Sequence, residues 1–179
     1  GQANLPLYPI VDPRGLVTPL FDSWSLDFWM ITANGRKLLP SQLERIDQRL
    51  KLDPQPTVRT ISRQDGMHLT VDVAVENRQS IPQLVARIKV RSTVGGQLVV
   101  ALRPYNPEGI QFIETVDYQP ETSRWRVNDE ATVRFSDQPA QVFFSDYANG
   151  DVIHKIGTGK TGHRGNCDVG MATAAALFD

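Results

Sequence analysis

The chain has 179 residues, and its 19 Lys and Arg nearly balance 20 Asp and Glu, which gives a formal net charge of −1. A near-neutral chain lacks the overall positive field that draws proteins to nucleic acids or anionic membranes, so neither is predicted as a partner. With 40 % hydrophobic and 22 % charged residues, the composition is that of a folded globular protein. The single cysteine, Cys167, excludes an intramolecular disulfide framework and a cysteine-rich zinc site.

The start of the chain carries no export signal. Gly1–Asn4 are not followed by a charged and then an apolar segment, so we interpret them as either a remnant of cloning or the product of an internal cut. No run of about 18 apolar residues is available to span a membrane. Without a signal or disulfides a cytoplasmic location is expected, although a trimmed N-terminus would have lost any signal.

Alternating apolar and polar residues predict β-strands in the first part of the chain. Trp24, Leu26, Phe28 and Met30 share one side of the first strand, and the turn residues Asn34-Gly35 follow it. Further strands with the same alternation are predicted at 58–61, 69–75, 84–90 and 98–102. Between them, only Ser41–Lys51 has the pattern of a helix, with a capping box at its start and an apolar side.

Five more short strands are predicted in the rest of the chain, at 110–118, 125–127, 131–135, 141–145 and 152–156. Turn residues such as Asn128-Asp129 and Asn149-Gly150 separate the last of them. Many short strands with almost no helical periodicity predict an all-β fold. The expected architecture is an antiparallel β-sandwich with one short helix, formed by residues 1–156.

The last part of the chain predicts a change of organisation. Residues 157–170 are rich in glycine and predict a flexible linker, and the apolar run Met171–Phe178 follows them. This run is either a segment that docks on the sandwich or the start of a following domain, and we favour the second interpretation. Residues 157–179 are therefore expected to leave the sandwich.

Gly159-Lys160-Thr161 matches the end of a phosphate-binding loop, but the rest of that motif is missing. The pattern needs a glycine where the chain has His154, and it needs a helix after Thr161. The glycine-rich residues that follow are poor helix formers. The sequence therefore predicts no nucleotide and no other cofactor.

No complete catalytic or metal-binding arrangement is visible in the sequence. The candidate metal ligands lack the spacings that hold a metal; they are His68, His154, His163, Cys167 and Asp168. The acids that could serve a paired-carboxylate hydrolase are each explained by strand alternation or by turns; they are Glu108, Glu114, Asp117, Asp146 and Asp151. This chain alone is not predicted to be catalytic, and the activity of a parent protein stays open.

The segment Arg103–Glu108 predicts a stiff loop between two strands. Its two prolines fix their own φ and hold the residues before them extended. A stiff loop that presents Arg103, Tyr105, Asn106 and Glu108 loses little entropy on binding, which suits a contact surface. The alternative is a structural corner in which Arg103 pairs with Glu108 and Asn106 binds the backbone.

The same loop carries a resemblance to a known family. The run LRPYNPEGI at 102–110, with WRVN at 125–128, SDY at 145–147 and GDV at 150–152, resembles the N-terminal β-sandwich of bacterial six-hairpin glycosidase-like proteins. These are relatives of glycogen-debranching and glucoamylase-type enzymes. In that family a sandwich of the supersandwich type precedes an (α/α)6 barrel that carries the catalytic acids. The resemblance covers about 24–156 and implies that Cys167–Gly170 lead toward such a barrel.

The resemblance implies a noncatalytic module that packs on the helical catalytic barrel of the same polypeptide and helps to shape its substrate cleft. The Arg103–Glu108 loop, Asp146 and Asp151 are the candidate contact residues. Without the barrel, an uncovered apolar surface would favour a homodimer of this chain.

An autonomous module that binds glucan through exposed aromatic residues is the alternative function. Trp125, between two arginines near a turn, is the candidate sugar platform. Trp24 is expected in the core. Trp29 points to the opposite side of its strand, which predicts a second buried face or a contact with a neighbouring domain.

Overall fold

The computed structural model describes residues 7–179, so the prediction for Gly1–Asn4 lies outside the described residues. The described chain is all-β, and every pair of strands in it is antiparallel. None of its residues forms a helix long and apolar enough to span a membrane.

The strands of the first half alternate with short turns, as their period-2 patterns predict. In chain order they are β1 (Ile10–Val11), β2 (Val17–Thr18), β3 (Ser25–Ile31), β4 (Lys37–Leu38), β5 (Asp47–Lys51), β6 (Thr57–Gln64), β7 (Met67–Arg78), β8 (Ile81–Ser92) and β9 (Gln97–Arg103). The second half contributes β10 (Tyr105–Asn106), β11 (Gly109–Ile110), β12 (Thr115–Gln119), β13 (Arg124–Val127), β14 (Ala131–Arg134), β15 (Gln141–Ser145), β16 (Arg164–Asn166) and β17 (Thr173–Phe178). The only helical turns in the described chain are 3-10 turns at Pro40–Gln42, Pro120–Thr122 and Val152–His154.

These strands form three sheets and one small hairpin, β10–β11. Sheet 1 has the order β1-β2-β3-β9-β17-β15, with β4 paired to β3. Sheet 2 is the meander β5-β6-β7-β8, and sheet 3 has the order β14-β13-β12-β16. Sheet 1 therefore joins strands from both ends of the chain.

The inner face of sheet 1 packs against both other sheets through one continuous hydrophobic core. Sheet 1 contributes side chains such as Phe28, Val100 and Ala176, which lie opposite one another across three strands. The long strand β7 of sheet 2 and Trp125 of sheet 3 complete this core. The predicted antiparallel β-sandwich is confirmed, with one layer made by sheet 1 and the other by sheets 2 and 3.

The outer face of sheet 1 is also buried, although no sheet formed by residues 7–179 covers it. Trp29, Val99, Phe143 and Leu177 form a second hydrophobic cluster there. The chain's own Leu39 and the 3-10 turn that holds Val152 pack on it. Of the two roles predicted for Trp29, the structure shows the second buried face.

The helix predicted at Ser41–Lys51 is wrong. Its first residues form a 3-10 turn at Pro40–Gln42, and its last residues form the edge strand β5. Pairing with β6 from Asp47↔Ile61 to Lys51↔Thr57 supplies the backbone hydrogen bonds that a helix would have made internally. An isolated helix of this length is marginal in water, so tertiary pairing decides the outcome.

The predicted end of the sandwich near residue 156 is also wrong. The predicted strand at 152–156 is absent, and a 3-10 turn at Val152–His154 stands in its place, whereas β16 lies within the predicted linker and joins sheet 3. The run Met171–Phe178 provides β17, which inserts between β9 and the edge strand β15 of sheet 1. Its alanines are small enough for a strand that is buried on both faces. The structure therefore supports the interpretation that Met171–Phe178 packs on the sandwich, and here the run forms one of its strands.

Candidate functional site at one end of sheet 1

Four connections meet at one end of sheet 1. Strands β2, β9 and β15 end there, whereas β3 and β17 begin there, as the pairs Ser25↔Arg103 and Ser145↔Thr173 show. The connections are 19–24, 104–114, 146–163 and 167–172. We call this region the loop end. It gathers all the predicted site residues except Trp125.

A row of polar side chains crosses the outer face of sheet 1 at the loop end. Thr18 and Ser25 form a hydrogen bond of 2.8 Å between their hydroxyls. Ser145 Oγ donates to the carbonyl of Gly150 at 2.6 Å, and Thr173 Oγ1 accepts from the Val152 amide at 3.2 Å. These bonds fasten the connection after β15 to the sheet below it.

Arg103 lies at the centre of this row and is held from three sides. Its guanidinium binds both carboxylate oxygens of Asp151, at 2.8 Å for Nη1 to Oδ1, and its Nε donates to the Tyr105 hydroxyl at 3.1 Å. The guanidinium carbon lies 5.2 Å from the Trp29 ring centroid and 5.3 Å from that of Tyr105. The Arg103 side chain is only 12 % exposed. Such a bidentate, ring-stacked arginine is a rigid support.

The predicted pairing of Arg103 with Glu108 is therefore wrong, because Asp151 takes that place from 48 residues farther along the chain. Burial opposes ionisation of Asp151, but the hydrogen bonds and charge of Arg103 hold the pKa of Asp151 below its usual range. Asp151 also caps the turn that follows it by accepting from the Ile153 amide at 2.9 Å. One carboxylate thus connects the β9 end to the 146–156 segment.

A groove of about 470 Å³ opens beside this ion pair on the outer face of sheet 1. Trp29, Leu39 and Ile153 form its apolar wall, and Lys37 and His154 are among its polar residues. Arg103 and Asp151 also line it, but their charges are directed at each other. Because Arg103 and Asp151 bind each other, these two lining residues hold the loops around the groove in place.

A buried acid, Asp27, lies on the same face of β3 as Trp29 and is 6 % exposed. Burial raises the pKa of Asp27 from 3.8 to about 6, against the opposing effects of the Trp29 indole and the Arg103 guanidinium. Asp27 Oδ1 accepts from the Phe28 amide at 2.9 Å, whereas no acceptor among the described residues meets the Trp29 Nε1 in hydrogen-bond geometry. Asp27 is not among the site residues predicted from the sequence. An acid in the middle of an aromatic-rich strand is the signal that could have found it.

Asn106 clamps two of the loops together. Its Nδ2 donates to the carbonyls of Phe21 and Ser23 at 3.2 and 3.1 Å, and its Oδ1 accepts from the amides of Glu108 and Gly109 at 2.8 and 3.1 Å. The predicted backbone-binding role of Asn106 is confirmed. Glu108 is exposed at the tip of the β10–β11 hairpin.

Asp146 closes the turn after β15. Its Oδ1 accepts from the Asn149 amide and from Asn149 Nδ2, both at 2.8 Å. These hydrogen bonds, that from the Asn149 side chain foremost, lower the pKa of Asp146. The turn presents Tyr147, which is among the most exposed large side chains of the described chain.

Trp125 is not a sugar platform. It is 0 % exposed in the main core, and its ring meets that of Phe135 edge-on at a centroid distance of 4.9 Å. Trp125 pairs with Tyr118 of β12 on one side and with Val133 of β14 on the other, so it lies inside sheet 3. Its side chain is on the face that packs against sheet 1. Its flanking arginines lie on the opposite side of β13, which is why the local sequence suggested exposure.

Large apolar side chains concentrate at the loop end instead. Half of those that are exposed in the described chain belong to its connections; they are Leu20, Phe21, Ile110, Phe112, Tyr147 and Val169. We call this set the end surface. Asn106, Asp146 and the Arg103–Asp151 pair fix three of the loops that carry it, and backbone hydrogen bonds hold 167–172 to 104–114. The charges of Arg103 and Asp151 beneath this surface are paired with each other, which suits a fixed binding surface.

No group of three or more His, Cys, Asp or Glu in the described residues is placed to hold a metal ion. Comparisons of the chain with family models, curated proteins and solved structures give no match. The glycosidase-like resemblance therefore stays a prediction.

Proposed function

We propose that the protein is a noncatalytic β-sandwich module of a larger carbohydrate-active protein, and that its end surface packs on a helical catalytic barrel of the same polypeptide. The end surface is the observation that carries the proposal. The apolar side chains lie on four loops that are held by the Arg103–Asp151 ion pair, by Asn106 and Asp146, and by backbone hydrogen bonds. A contact area held in this way loses little entropy on docking. The identity of the partner rests on the family resemblance of the 102–110 loop.

An uncovered end surface makes the chain associate with itself and bind apolar dyes, because exposed apolar patches favour both. We expect the 179-residue chain to bind anilinonaphthalene sulfonate and to dimerise with rising concentration in sedimentation velocity. The paired substitution F21S/Y147S should reduce both signals. The control L52S/V94S changes two exposed apolar residues outside the loop end and should leave both signals unchanged.

A chain that stays monomeric at all concentrations and binds no dye would contradict the proposal. Equal loss of both signals in the control variant would also contradict it, since the end surface would then have no special role.

The second candidate is an autonomous carbohydrate-binding module, which the exposed aromatics Phe21, Phe112 and Tyr147 favour. Electrophoresis in gels that contain a soluble α-glucan separates the two functions. Retardation that Y147A abolishes would favour the binding module. Unretarded migration favours the docking module, and the sedimentation behaviour of F21S/Y147S then tests it.

A further inference from the structure

All charged side chains in the four strands of sheet 2 lie on one face. The registers Arg59↔Asp72 and Asp72↔Arg87 fix this outer face, and the alternate residues, such as Leu69 and Val71, point into the core. Because side chains alternate between the two faces along each strand, the other charged residues of sheet 2 also lie on the outer face. The basic residues of the outer face are Arg49, Lys51, Arg59, Arg63, Arg78, Arg87, Lys89 and Arg91, and the acidic ones are Asp47, Asp72 and Glu76.

This face has a formal charge of +5, eight basic residues against three acidic ones, although the whole chain has −1. The rest of the chain therefore carries −6. A strongly asymmetric distribution creates a local positive potential that the overall charge conceals.

The three acids neutralise only part of the basic set. Asp72 binds Arg59 in a bidentate pair, with both distances at 2.6 Å, and Asp47 binds Arg63 at 2.9 Å. Glu76 contacts both Arg78 and Arg87. Four basic side chains of this face have no carboxylate within 4.0 Å in the part of the chain that the structure describes; they are Arg49, Lys51, Lys89 and Arg91.

The unneutralised charges lie at both edges of the sheet. Lys89 and Arg91 project from the edge strand β8 about 7 Å apart, as alternate residues of a strand do. Arg91 also continues the row Arg63↔His68↔Arg91 across the sheet. Burial, together with the charges of Arg63 and Arg91, lowers the pKa of His68, as expected in a positive field.

The uncharged residues of this face disfavour one large class of ligand. Apart from the His68 imidazole, they are aliphatic or small polar residues: Thr57, Ile61, Thr70, Ala74, Ile81, Gln83 and Val85. Single-stranded nucleic acids are held mainly by bases stacked on aromatic side chains. A flat sheet face also offers no helix or two-stranded ribbon to enter the major groove of a duplex.

We propose that the outer face of sheet 2 binds an acidic polysaccharide, a chain of sulfated or carboxylated sugars, along the row of Arg87, Lys89 and Arg91. Such a chain presents repeated anions without flat aromatic bases. Its hydroxyl groups find partners in side chains such as Thr70 and Gln83 on the same face. This site is separate from the end surface, so the experiment below tests it independently of the proposed function.

A fluorescein-labelled heparin oligosaccharide, titrated by anisotropy into the whole 179-residue chain, tests the site. We expect binding at low salt and an affinity about tenfold lower in K89Q/R91Q. Each cation that is removed reduces the number of counterions released from the polysaccharide on binding. The control R134Q/K160Q removes two exposed cations outside sheet 2 and should bind heparin as the unchanged chain does. Thermal unfolding of both variants verifies that the fold is retained.

Two further probes define the ligand class. An oligogalacturonate, which carries only carboxylates, distinguishes a carboxylated chain from a sulfated one. Absence of binding to both polysaccharides overturns the proposal, and so does an equal loss in the two variants. Tighter binding of a single-stranded DNA of matched charge, with the same sensitivity to K89Q/R91Q, also overturns it and assigns the face to nucleic acid.

Discussion

A buried carboxyl in the centre of a sheet costs free energy whenever it is ionised, and Asp27 is such a group. Its pKa is raised from 3.8 to about 6, so the folded chain retains a proton in this interval that the unfolded chain has lost. Stability is therefore highest below pH 3.8 with respect to this group, and it falls as the pH rises to 6. The difference between the two pKa values corresponds to roughly 3 kcal/mol.

Asp27→Asn should therefore stabilise the protein at pH 7. We expect a gain of about 1 to 2 kcal/mol in the free energy of unfolding, less than the full cost because the favourable charge contact with Arg103 is lost. The gain should shrink as the pH falls toward 4, and urea unfolding between pH 4 and 8 measures it. The exposed control Asp22→Asn should show no such gain. A destabilised D27N at pH 7 would contradict the prediction.

The Arg103–Asp151 pair should couple strongly, because its side chains are only 12 % and 29 % exposed. A double-mutant cycle with R103Q and D151N should give a coupling free energy of about 1 to 3 kcal/mol. The exposed pair Arg63–Asp47, with side chains 57 % and 54 % exposed, is the control and should couple by less than about 1 kcal/mol. Similar coupling in both cycles would show that Arg103 does not support the loop end.

At the scale of elements, the contact of β16 with β15 depends on a glycine. A Cβ at Gly165 would lie 2.8 Å from the ring and 2.9 Å from the Cβ of Phe144, closer than real contacts allow. Gly165→Ala should therefore destabilise the protein by about 1 to 3 kcal/mol. In Gly162→Ala the new Cβ lies 3.7 Å from the same ring, an ordinary contact, so its melting temperature should stay near that of the unchanged chain. Equal melting temperatures for the two variants would contradict this packing.

The elements also show which parts of the fold the sequence could predict. The alternation in β7 and β8 predicts both strands, because period 2 is a local property. Ser41–Lys51 and Met171–Phe178 are ambiguous locally, and distant partners decide them: β6 for the first, and β9 with β15 for the second. The Arg103–Asp151 pair was missed for the same reason, since nothing near either residue indicates the other.

At the scale of the whole molecule, a net charge of −1 conceals a sheet face of +5. The net charge shows that the protein is not positive overall, but it does not show how the charges are distributed over the surface. The distribution is readable from alternation once the strands are known, since the charged residues of β8 recur at every second position. Overall charge and local recognition are therefore separate questions in an alternating β-protein.

The position of β17 also has a consequence for how the protein is made. Strand β17 fills the gap between β9 and β15, so β15 is not joined to sheet 1 until β17 has been synthesised. During translation the open edges of β9 and β15 are available to wrong neighbours, which makes the nascent chain vulnerable to misassembly. Sheet 1 can therefore be assembled only after β17 has been made, although the two strands that β17 pairs with, β9 and β15, precede it in the chain.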